Sequence, residues 1–185
     1  MAIATRRRES QPSHEVVKGM NATAGTAESA NFRLAMREFA SGVAIVTCGE
    51  GETRAGCTAT AVTSLSLQPP SILVCLDRST STLSALREVG AFVVNFLGGQ
   101  HEVLAGRFAG RGGVKGAARF DEGEWSKLVT GAPVLVDALA SIDCRVEEIV
   151  DRHSHAIIIG AVQAVRHAQG GPALVHWRSK FESLG

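Results

Sequence analysis

The chain has 185 residues, a formal net charge of +1 at pH 7 and 45% hydrophobic residues. This length and apolar content predict one domain with a hydrophobic core of its own. A nearly neutral chain has no global field that attracts nucleic acid. No apolar run approaches the ~20 residues that a bilayer-spanning helix needs. We therefore expect neither a nucleic-acid partner nor a membrane anchor.

The first 28 residues differ in composition from the rest of the chain. They are polar, rich in small residues and without a sustained hydrophobic period, which predicts a disordered or loosely docked tail over 1–28 and a folded domain over 29–185. No apolar run follows the early arginines, so the tail is not a secretory signal. The four cysteines lie far apart in apolar segments, which is typical of buried thiols and favours a cytoplasmic location.

The predicted elements begin with a helix that starts near Ser29 and ends before Gly42. A buried strand over 43–48 follows, and Gly49–Glu52 turns the chain into a second strand. The next segments predict a helix over 79–89, a strand over 91–97 and a helix over 100–108. In the first of these helices, Leu83, Leu86 and Val89 are expected on one face.

Two long strands, 138–150 and 155–166, are predicted on either side of the polar turn Asp151–Ser154. Strands therefore predominate, with single helices between some of them and no regular alternation of strand and helix. This order favours an antiparallel barrel of the α+β class over a doubly wound sheet.

The stretch 56–70 carries the clearest chemical signal in the sequence. It combines small residues with Thr and Ser and ends at Pro69–Pro70. Small residues allow a flat ligand to lie on the backbone, and hydroxyls with exposed N–H groups suit a phosphate. The same pattern also fits an ordinary Thr-rich strand, so the residues alone leave both interpretations open.

Three other patterns in the sequence have features of functional sites. Asp151, His153 and His155 alternate as metal ligands could, but a polar turn that leads into a strand explains them better, and no metal is predicted. The Gly-rich segment 110–116 lacks the spacing of a phosphate-binding loop and is expected to be a flexible loop that gates the site. Cys57 and Cys75 have no histidine close in sequence, which argues against a nucleophilic role.

Several ordered segments together resemble a known family: 39–47, 56–70, 91–97, Arg119–Phe120 and 155–160. The chain resembles the flavin reductase-like, split β-barrel FMN-binding proteins, and within them the reductase components of two-component flavin-dependent monooxygenases. The resemblance covers 32–184 and implies a mainly β fold of the α+β class, a split antiparallel β-barrel with a few short helices. Independently of the resemblance, no G-x-G-x-x-G motif follows a strand, so a Rossmann domain is not predicted.

The resemblance implies a set of flavin-binding residues. One segment would run along the flavin, with its last two residues near the ribityl and phosphate groups: Thr58, Ala59, Thr60, Ala61, Val62, Thr63 and Ser64. A second would close the phosphate side: Arg78, Ser79, Thr80, Ser81 and Thr82. A strand would border the flavin with Asn95, Phe96 and Leu97, and Arg119 would lie close to the phosphate, with Lys115 as the alternative.

His155 matches the histidine that the family places near the nicotinamide, and the resemblance implies that it positions this ring. Ser154 stands where relatives often have Asp, and the segment 174–181 lacks the tyrosines that relatives often carry. These two departures concern the orientation of the histidine and the stacking contacts near the end of the chain.

The implied activity is NAD(P)H:flavin oxidoreductase, which reduces FMN or FAD by hydride transfer from NADH or NADPH and supplies reduced flavin to a separate monooxygenase. The resemblance also implies a homodimer that binds flavin between its subunits, with the region 135–149 as part of the interface. Two alternatives stay open: a flavin carrier or sensor without turnover, and a flavoenzyme of the same barrel that acts on another substrate, such as an oxidase. The sequence does not distinguish FMN from FAD or NADH from NADPH.

Overall fold

The computed structural model describes residues 29–168 and 170–185, so the predicted tail 1–28 lies outside the described residues. Its helices are α1 (Ser29–Met36), α2 (Ser81–Val89) and α3 (Glu102–Phe108). Its strands are β1 (Ser41–Gly42), β2 (Ala44–Cys48), β3 (Ala55–Ala59), β4 (Val62–Leu67), β5 (Pro70–Asp77), β6 (Ala91–Phe96), β7 (Trp125–Lys127), β8 (Pro133–Leu135), β9 (Ala140–Arg152), β10 (His155–His167), β11 (Ala173–Trp177) and β12 (Lys180–Leu184). None of the helices in the described ranges is long and apolar enough to span a bilayer.

A seven-stranded antiparallel sheet is the main element of the fold, with the strand order β3-β2-β6-β9-β10-β5-β4. β3 and β4 lie at opposite edges of this sheet although only Thr60 and Ala61 separate them in the chain. The mainly β, antiparallel character of the prediction is therefore confirmed. No ladder between β3 and β4 is found within the described residues, so a barrel stays a prediction.

A smaller sheet with the order β1-β11-β12 packs beside the main one. Three backbone hydrogen bonds join the two sheets: Val43 N–H donates to Leu174 O, Leu97 N–H to Val43 O, and Leu174 N–H to Leu97 O, at 2.9–3.0 Å. All three residues are buried, and they belong to the core cluster beneath α3. This junction fixes the loop after β6 at the point where the two sheets meet.

The larger core cluster lies inside the main sheet and under α2. Gly160 in β10 allows close packing there, because an added Cβ would come within 2.5 Å of the Phe92 ring. Helix α2 contributes Leu83 and Leu86, which are almost fully buried. The predicted third member of that face, Val89, is 45% exposed, because the helix ends there at Gly90 in the left-handed conformation, past the edge of the core.

Helix α1 forms at the predicted place, but none of its residues is buried. Phe32 and Met36 are 62% and 47% exposed, so its apolar side is uncovered in the single chain. The segment after α1 is tied to the body by Arg178, whose backbone N–H donates to Arg37 O at 3.1 Å and whose side chain pairs with Glu38. Arg178 therefore holds the end of α1 against the body of the protein, while the apolar residues of the helix stay exposed at the surface.

Candidate active site

A cavity of about 420 Å³, here called the polar cavity, brings several of the predicted residues together. They come from three separate parts of the chain: Thr58, Ser79, Thr80, Thr82 and Arg119. Ser81 and the alternative cation Lys115 line the same cavity. The structure therefore assembles hydroxyls and two cationic side chains around one space, a composition that suits an anionic group.

The loop before α2 is held by Asp77 at the end of β5. Its carboxylate accepts hydrogen bonds from the Ser79 N–H at 2.8 Å and from the Ser79 hydroxyl at 2.7 Å. These bonds lower the pKa of Asp77, and the nearby His155 lowers it further. The sequence Asp77-Arg78-Ser79 carries the signature of an Asx turn, which could have identified Asp77 as the organiser of this loop.

Thr80 is the N-cap of α2, since its hydroxyl accepts a hydrogen bond from Leu83 N–H at 3.3 Å. This cap explains why the helix begins at Ser81 and not at the predicted Ser79. The first turn of α2 therefore faces the polar cavity with N–H groups that have no partner within the helix.

Thr82 is the feature of the polar cavity that most directly indicates a ligand. The residue is 1% exposed, and its hydroxyl has no hydrogen-bond partner among the described residues. Buried polar groups are normally paired, and an unpaired one costs about 1–3 kcal/mol. A bound phosphate would offer the acceptor that this hydroxyl lacks, so the residues of the cavity fit a flavin phosphate.

Arg119 is held rigidly at the wall of the polar cavity. Its Nε donates to Val114 O at 3.0 Å and its Nη1 to Gly56 O at 2.8 Å, which clamps the guanidinium between the Gly-rich segment and β3. Lys115 is exposed, and no hydrogen bond or ion pair of its side chain is found in the described ranges. Arg119 is therefore the better preorganised of the two cations.

A second space of about 490 Å³, here called the apolar groove, contains another part of the predicted set. Val62, Thr63, Ser64 and Phe96 line it, together with apolar side chains such as Ile142 and Val162. Thr63 and Ser64, which are predicted to lie near the ribityl and phosphate groups, line this groove, whereas Thr58 lies beside the Ser79–Thr82 hydroxyls. Their contact with the flavin stays a prediction. The two groups are separated because β3 ends before Thr60 and β4 begins after Ala61, and the two strands lie at opposite edges of the sheet.

The segment Ala59–Ala61 links the polar cavity to the apolar groove. Ala59 is buried, whereas Thr60 and Ala61 are exposed. Ala61 O accepts a hydrogen bond from Cys75 N–H at 2.9 Å, which ties the link to β5. The backbone here carries only small side chains, so a flat ring can approach it closely, and contact of these residues with flavin stays a prediction.

Asn95 and Leu97 are buried within the subunit. The Asn95 amide nitrogen donates to Ile45 O at 3.2 Å and to the Thr47 hydroxyl at 3.3 Å. Its oxygen accepts from Leu135 N–H and from the Ser141 hydroxyl, both at 2.9 Å. Leu97 is 1% exposed. Both residues thus carry an evident packing role in the single chain, and their predicted border with flavin stays a prediction.

His155 and Arg78 lie together at the turn between β9 and β10, beside the polar cavity rather than in it. His155 is exposed, pairs with Asp77 in the β5–β10 ladder, and its Nδ1 lies 2.9 Å from the Ser154 hydroxyl. Arg78 crosses the turn, since its backbone N–H donates to Ser154 O at 2.9 Å and its Nη1 to His153 O at 3.1 Å. The Ser154 hydroxyl therefore contacts the imidazole of His155 directly.

The alternative of a metal site gains no support from the geometry. Asp151 turns its carboxylate to Arg87 and Arg78, away from a shared site with the two histidines of the turn. In the described part of the chain, no three His, Cys, Asp or Glu side chains converge as metal ligands would. Asp151 is instead the centre of a charge cluster that spacing along the chain could not reveal, because its partners come from β5 and α2.

The cysteines are held as thiols. Burial raises the pKa of Cys57 to about 11, although the nearby Thr82 hydroxyl, which does not reach hydrogen-bond geometry with it, and Arg119 both favour the thiolate. Burial raises the pKa of Cys48 and Cys144 to about 12. The pKa of Cys75 is raised for the same reason. A thiol this weakly acidic is a poor nucleophile at neutral pH. Cys57 lines the polar cavity as a small side chain, and no nucleophilic role follows.

Comparison with known proteins agrees with this geometry. Residues 36–185 match the family described as "Flavin reductase like domain". The chain is 41% identical over 167 residues to the protein named FMN reductase (NADH) RutF 1 of Methylorubrum extorquens strain PA1, which covers 89% of this chain and 80% of that relative.

Two solved structures have the same fold. BorF, the flavin reductase component of a bacterial two-component tryptophan halogenase, superposes with a TM-score of 0.78 at 33% identity, over 85% of this chain and 98% of that one. The styrene monooxygenase flavin reductase SMOB of Pseudomonas putida S12 gives a TM-score of 0.74 at 29% identity, over 84% and 97%. The family match over residues 36–185 and the relative at 41% identity agree with the composition of the polar cavity. The chain belongs to the flavin reductase-like domain family.

Proposed function

We propose that the protein is an NADH-dependent flavin reductase that uses FMN as its flavin and delivers the reduced flavin to a separate monooxygenase. The observation that carries this proposal is the polar cavity, where the unpaired Thr82 hydroxyl and the clamped Arg119 converge beside the first turn of α2. The relative named FMN reductase (NADH) and the reductase components of two-component enzymes support the choice of reaction, flavin and reductant.

In this proposal the polar cavity binds the phosphate of FMN. Arg119 supplies a fixed cation and Thr82 a buried hydroxyl, while the Asp77–Ser79 turn holds the loop in place. The backbone of Ala59–Ala61 would lie under the flavin ring, because its small side chains leave room for a flat group. A monoester dianion suits this donor set, which is one reason to prefer FMN over FAD.

When bound, the flavin would accept a hydride from the dihydronicotinamide, and this chemistry belongs to the two cofactors. The residues of the chain would bind these two cofactors and orient them toward each other. His155 lies at the exposed end of β10 and orients the nicotinamide, and the Ser154 hydroxyl at its Nδ1 limits rotation of the imidazole. Orientation of two reactants in one site can supply a large part of a rate enhancement.

We further propose that the active form is a homodimer in which the main sheet is a split barrel. The two-residue link between β3 and β4 supports a curled sheet. Exposed apolar side chains support an interface: Leu67 (82%) and Val165 (47%) line the apolar groove, and Leu65 (50%) lies on the same strand as Leu67. Within the interface region 135–149 expected from the sequence, Leu135 is fully buried in the subunit, whereas Ile142 lines this groove. The groove, with Ile142 and β4 at its wall, is therefore the proposed interface. Location in a reducing cytoplasm is part of the proposal and is supported by the four free cysteines.

The test is oxidation of NADH and NADPH in air by the purified protein, with FMN, FAD or riboflavin added or left out. The proposal expects NADH oxidation that requires added flavin and saturates with it, with FMN used at the lowest concentration. Flavin binding without oxidation of either coenzyme would reject the reductase and favour a carrier or sensor. Flavin-dependent turnover with another reductant in place of the nicotinamide coenzymes would favour a different flavoenzyme of the same fold.

A further inference from the structure

We propose that Asp151 sets the preference for NADH over NADPH, because it occupies the two arginines that would otherwise bind a 2′-phosphate. This inference rests on the proposed function, since it assumes that a nicotinamide dinucleotide binds at the turn that carries His155. It concerns the ribose that carries the 2′-phosphate in NADPH. Neither the polar cavity nor the apolar groove has been assigned to this ribose.

Asp151 is the carboxylate at the centre of a cluster of arginines. Its Oδ1 accepts a hydrogen bond from Arg87 Nη2 and lies 3.7 Å from Arg78 Nε. Arg152 turns to the same residue and donates from Nη1 to the Asp151 backbone oxygen at 2.8 Å. β9 supplies Asp151, the loop after β5 supplies Arg78, and α2 supplies Arg87, so three parts of the fold converge on one charge.

The cluster is accessible to a ligand. The side chains of Arg78, Arg87 and Asp151 are 51%, 43% and 42% exposed, respectively. It is also adjacent to His155, because Arg78 donates from its backbone to Ser154 O and from its side chain to His153 O. In the β9–β10 ladder, Asp151 pairs with Ala156 and Arg152 with His155, so Asp151 and His155 lie on opposite faces at the end of the hairpin. A dinucleotide that passes round the turn over Arg78 would reach both.

The chemistry of the cluster distinguishes the two coenzymes. A carboxylate accepts a hydrogen bond from a ribose 2′-hydroxyl, whereas arginine side chains bind a 2′-phosphate, often with two parallel hydrogen bonds. Arg78 and Arg87 would form such a phosphate site if they were free, but the Asp151 carboxylate lies against both. A 2′-phosphate at this place would be repelled by the carboxylate and would compete with it for the two arginines. The arrangement therefore accepts the unphosphorylated ribose.

The first experiment compares Asp151→Asn with the wild-type protein in steady-state oxidation of NADH and NADPH at saturating FMN. The ratio of kcat/KM for NADPH to that for NADH should rise about tenfold or more, mainly through a lower KM for NADPH. Glu148→Gln is the matched control. Glu148 is exposed on the same strand but on the opposite face, so this change removes the same charge without freeing an arginine, and the ratio should stay at the wild-type value.

A binding measurement provides a readout that does not depend on turnover. Calorimetric titration with 2′-phospho-ADP-ribose and with ADP-ribose should show a gain of about tenfold or more for the phosphorylated ligand in Asp151→Asn. Adding Arg87→Gln to that variant should remove most of the gain. Circular dichroism and thermal melts check that each variant is folded, and Asp151→Ser is a second test of the same change.

Three results would overturn the proposal. They are a wild-type protein that prefers NADPH, an Asp151→Asn variant that changes the ratio no more than Glu148→Gln does, and a gain that persists after Arg87 is removed. Failure of the proposed function looks different: the wild-type protein then oxidises neither coenzyme in the presence of FMN, whatever residue 151 is.

Discussion

His155 and Asp77 are direct partners in the β5–β10 ladder, although they are far apart in the sequence. The loop that Asp77 organises leads into the polar cavity, and the turn before His155 is crossed by Arg78. The end of β5 therefore fixes the distance between the proposed phosphate site and the proposed nicotinamide site. Since both strands are in one ladder, this spacing does not depend on a mobile loop.

Replacement of His155 by Ala should impair use of NADH and leave flavin binding intact. His155 is exposed and lies outside the polar cavity, so its loss removes a contact with the nicotinamide but none with the flavin phosphate. We expect kcat/KM for NADH to fall about tenfold, while the Kd for FMN, measured by quenching of flavin fluorescence, stays within twofold. His153→Asn is the control, because Asn tolerates the left-handed conformation of this residue (φ 49°). Equal losses in both variants would mean that the turn and not the imidazole matters.

Replacement of Arg119 should weaken FMN far more than riboflavin, which lacks the phosphate. In Arg119→Gln the Kd for FMN should rise about tenfold or more, since a charge-assisted hydrogen bond to the phosphate is lost. Arg119→Lys should recover only part of this affinity, because Lys cannot reproduce the fork that bonds both Val114 O and Gly56 O. Lys115→Gln should have a smaller effect, as Lys115 is exposed. A parallel loss of riboflavin affinity would indicate collapse of the cavity and would contradict this assignment.

Replacement of Asn95 by Ala should lower the free energy of unfolding. The change leaves the Leu135 N–H and the Ser141 hydroxyl without their buried acceptor and creates a small cavity. We expect a loss of about 2–3 kcal/mol in urea-induced unfolding. Ser126→Ala removes a part-buried hydrogen bond elsewhere and should cost less. A stability equal to that of the wild type, with weaker flavin binding, would assign Asn95 to the flavin and not to the core.

The buried cysteines should make stability decline at alkaline pH. The folded-state pKa of Cys57, about 11, lies above its value of 9.0 in the unfolded chain. The unfolded chain therefore loses this proton first, and the contribution is complete below pH 9 and disappears as the pH rises toward 11. One such group accounts for about 2–3 kcal/mol over that interval. Urea unfolding from pH 8 to 10.5 should show a shallower decline for Cys57→Ala than for the wild type.

Thiol labelling at pH 8 is a second test that Cys57 is a buried, weakly acidic thiol in the native protein. Native protein at pH 8 should react slowly with iodoacetamide, whereas protein in urea should react at all four cysteines. Rapid alkylation of Cys57 in the native protein would show that the polar cavity exposes a reactive thiolate, contrary to its raised pKa.

Local sequence features predicted most of the regular elements. The apolar run before Gly49 became β2, the capping chemistry of Thr80 and Gly90 bounded α2, and the two long strands formed on either side of a turn. That turn is tighter than expected, because β9 continues through Asp151 and Arg152 and leaves only His153 and Ser154 between the strands. The short strands β7 and β8 were not predicted, since three residues are too few to establish a period.

The contents of the candidate site were predicted better than their grouping. Ser79, Thr80, Thr82 and Arg119 do line one cavity with Thr58. Their separation from Thr63 and Ser64 depends on the exposed link Thr60–Ala61, and nothing in a run of small and hydroxyl residues indicates where a strand will break. The cluster around Asp151 and the network of Asn95 are long-range pairings, which no local pattern encodes.

The link between β3 and β4 also acts as a covalent strap. Ala59 and Val62 can be at most about 11 Å apart, because three consecutive peptide units join them. However far the other strands move, the end of β3 and the start of β4 stay within that distance. The separation of these two strand ends, between the polar cavity and the apolar groove, therefore has an upper limit that is set by bond lengths and is independent of temperature, denaturant or ligand.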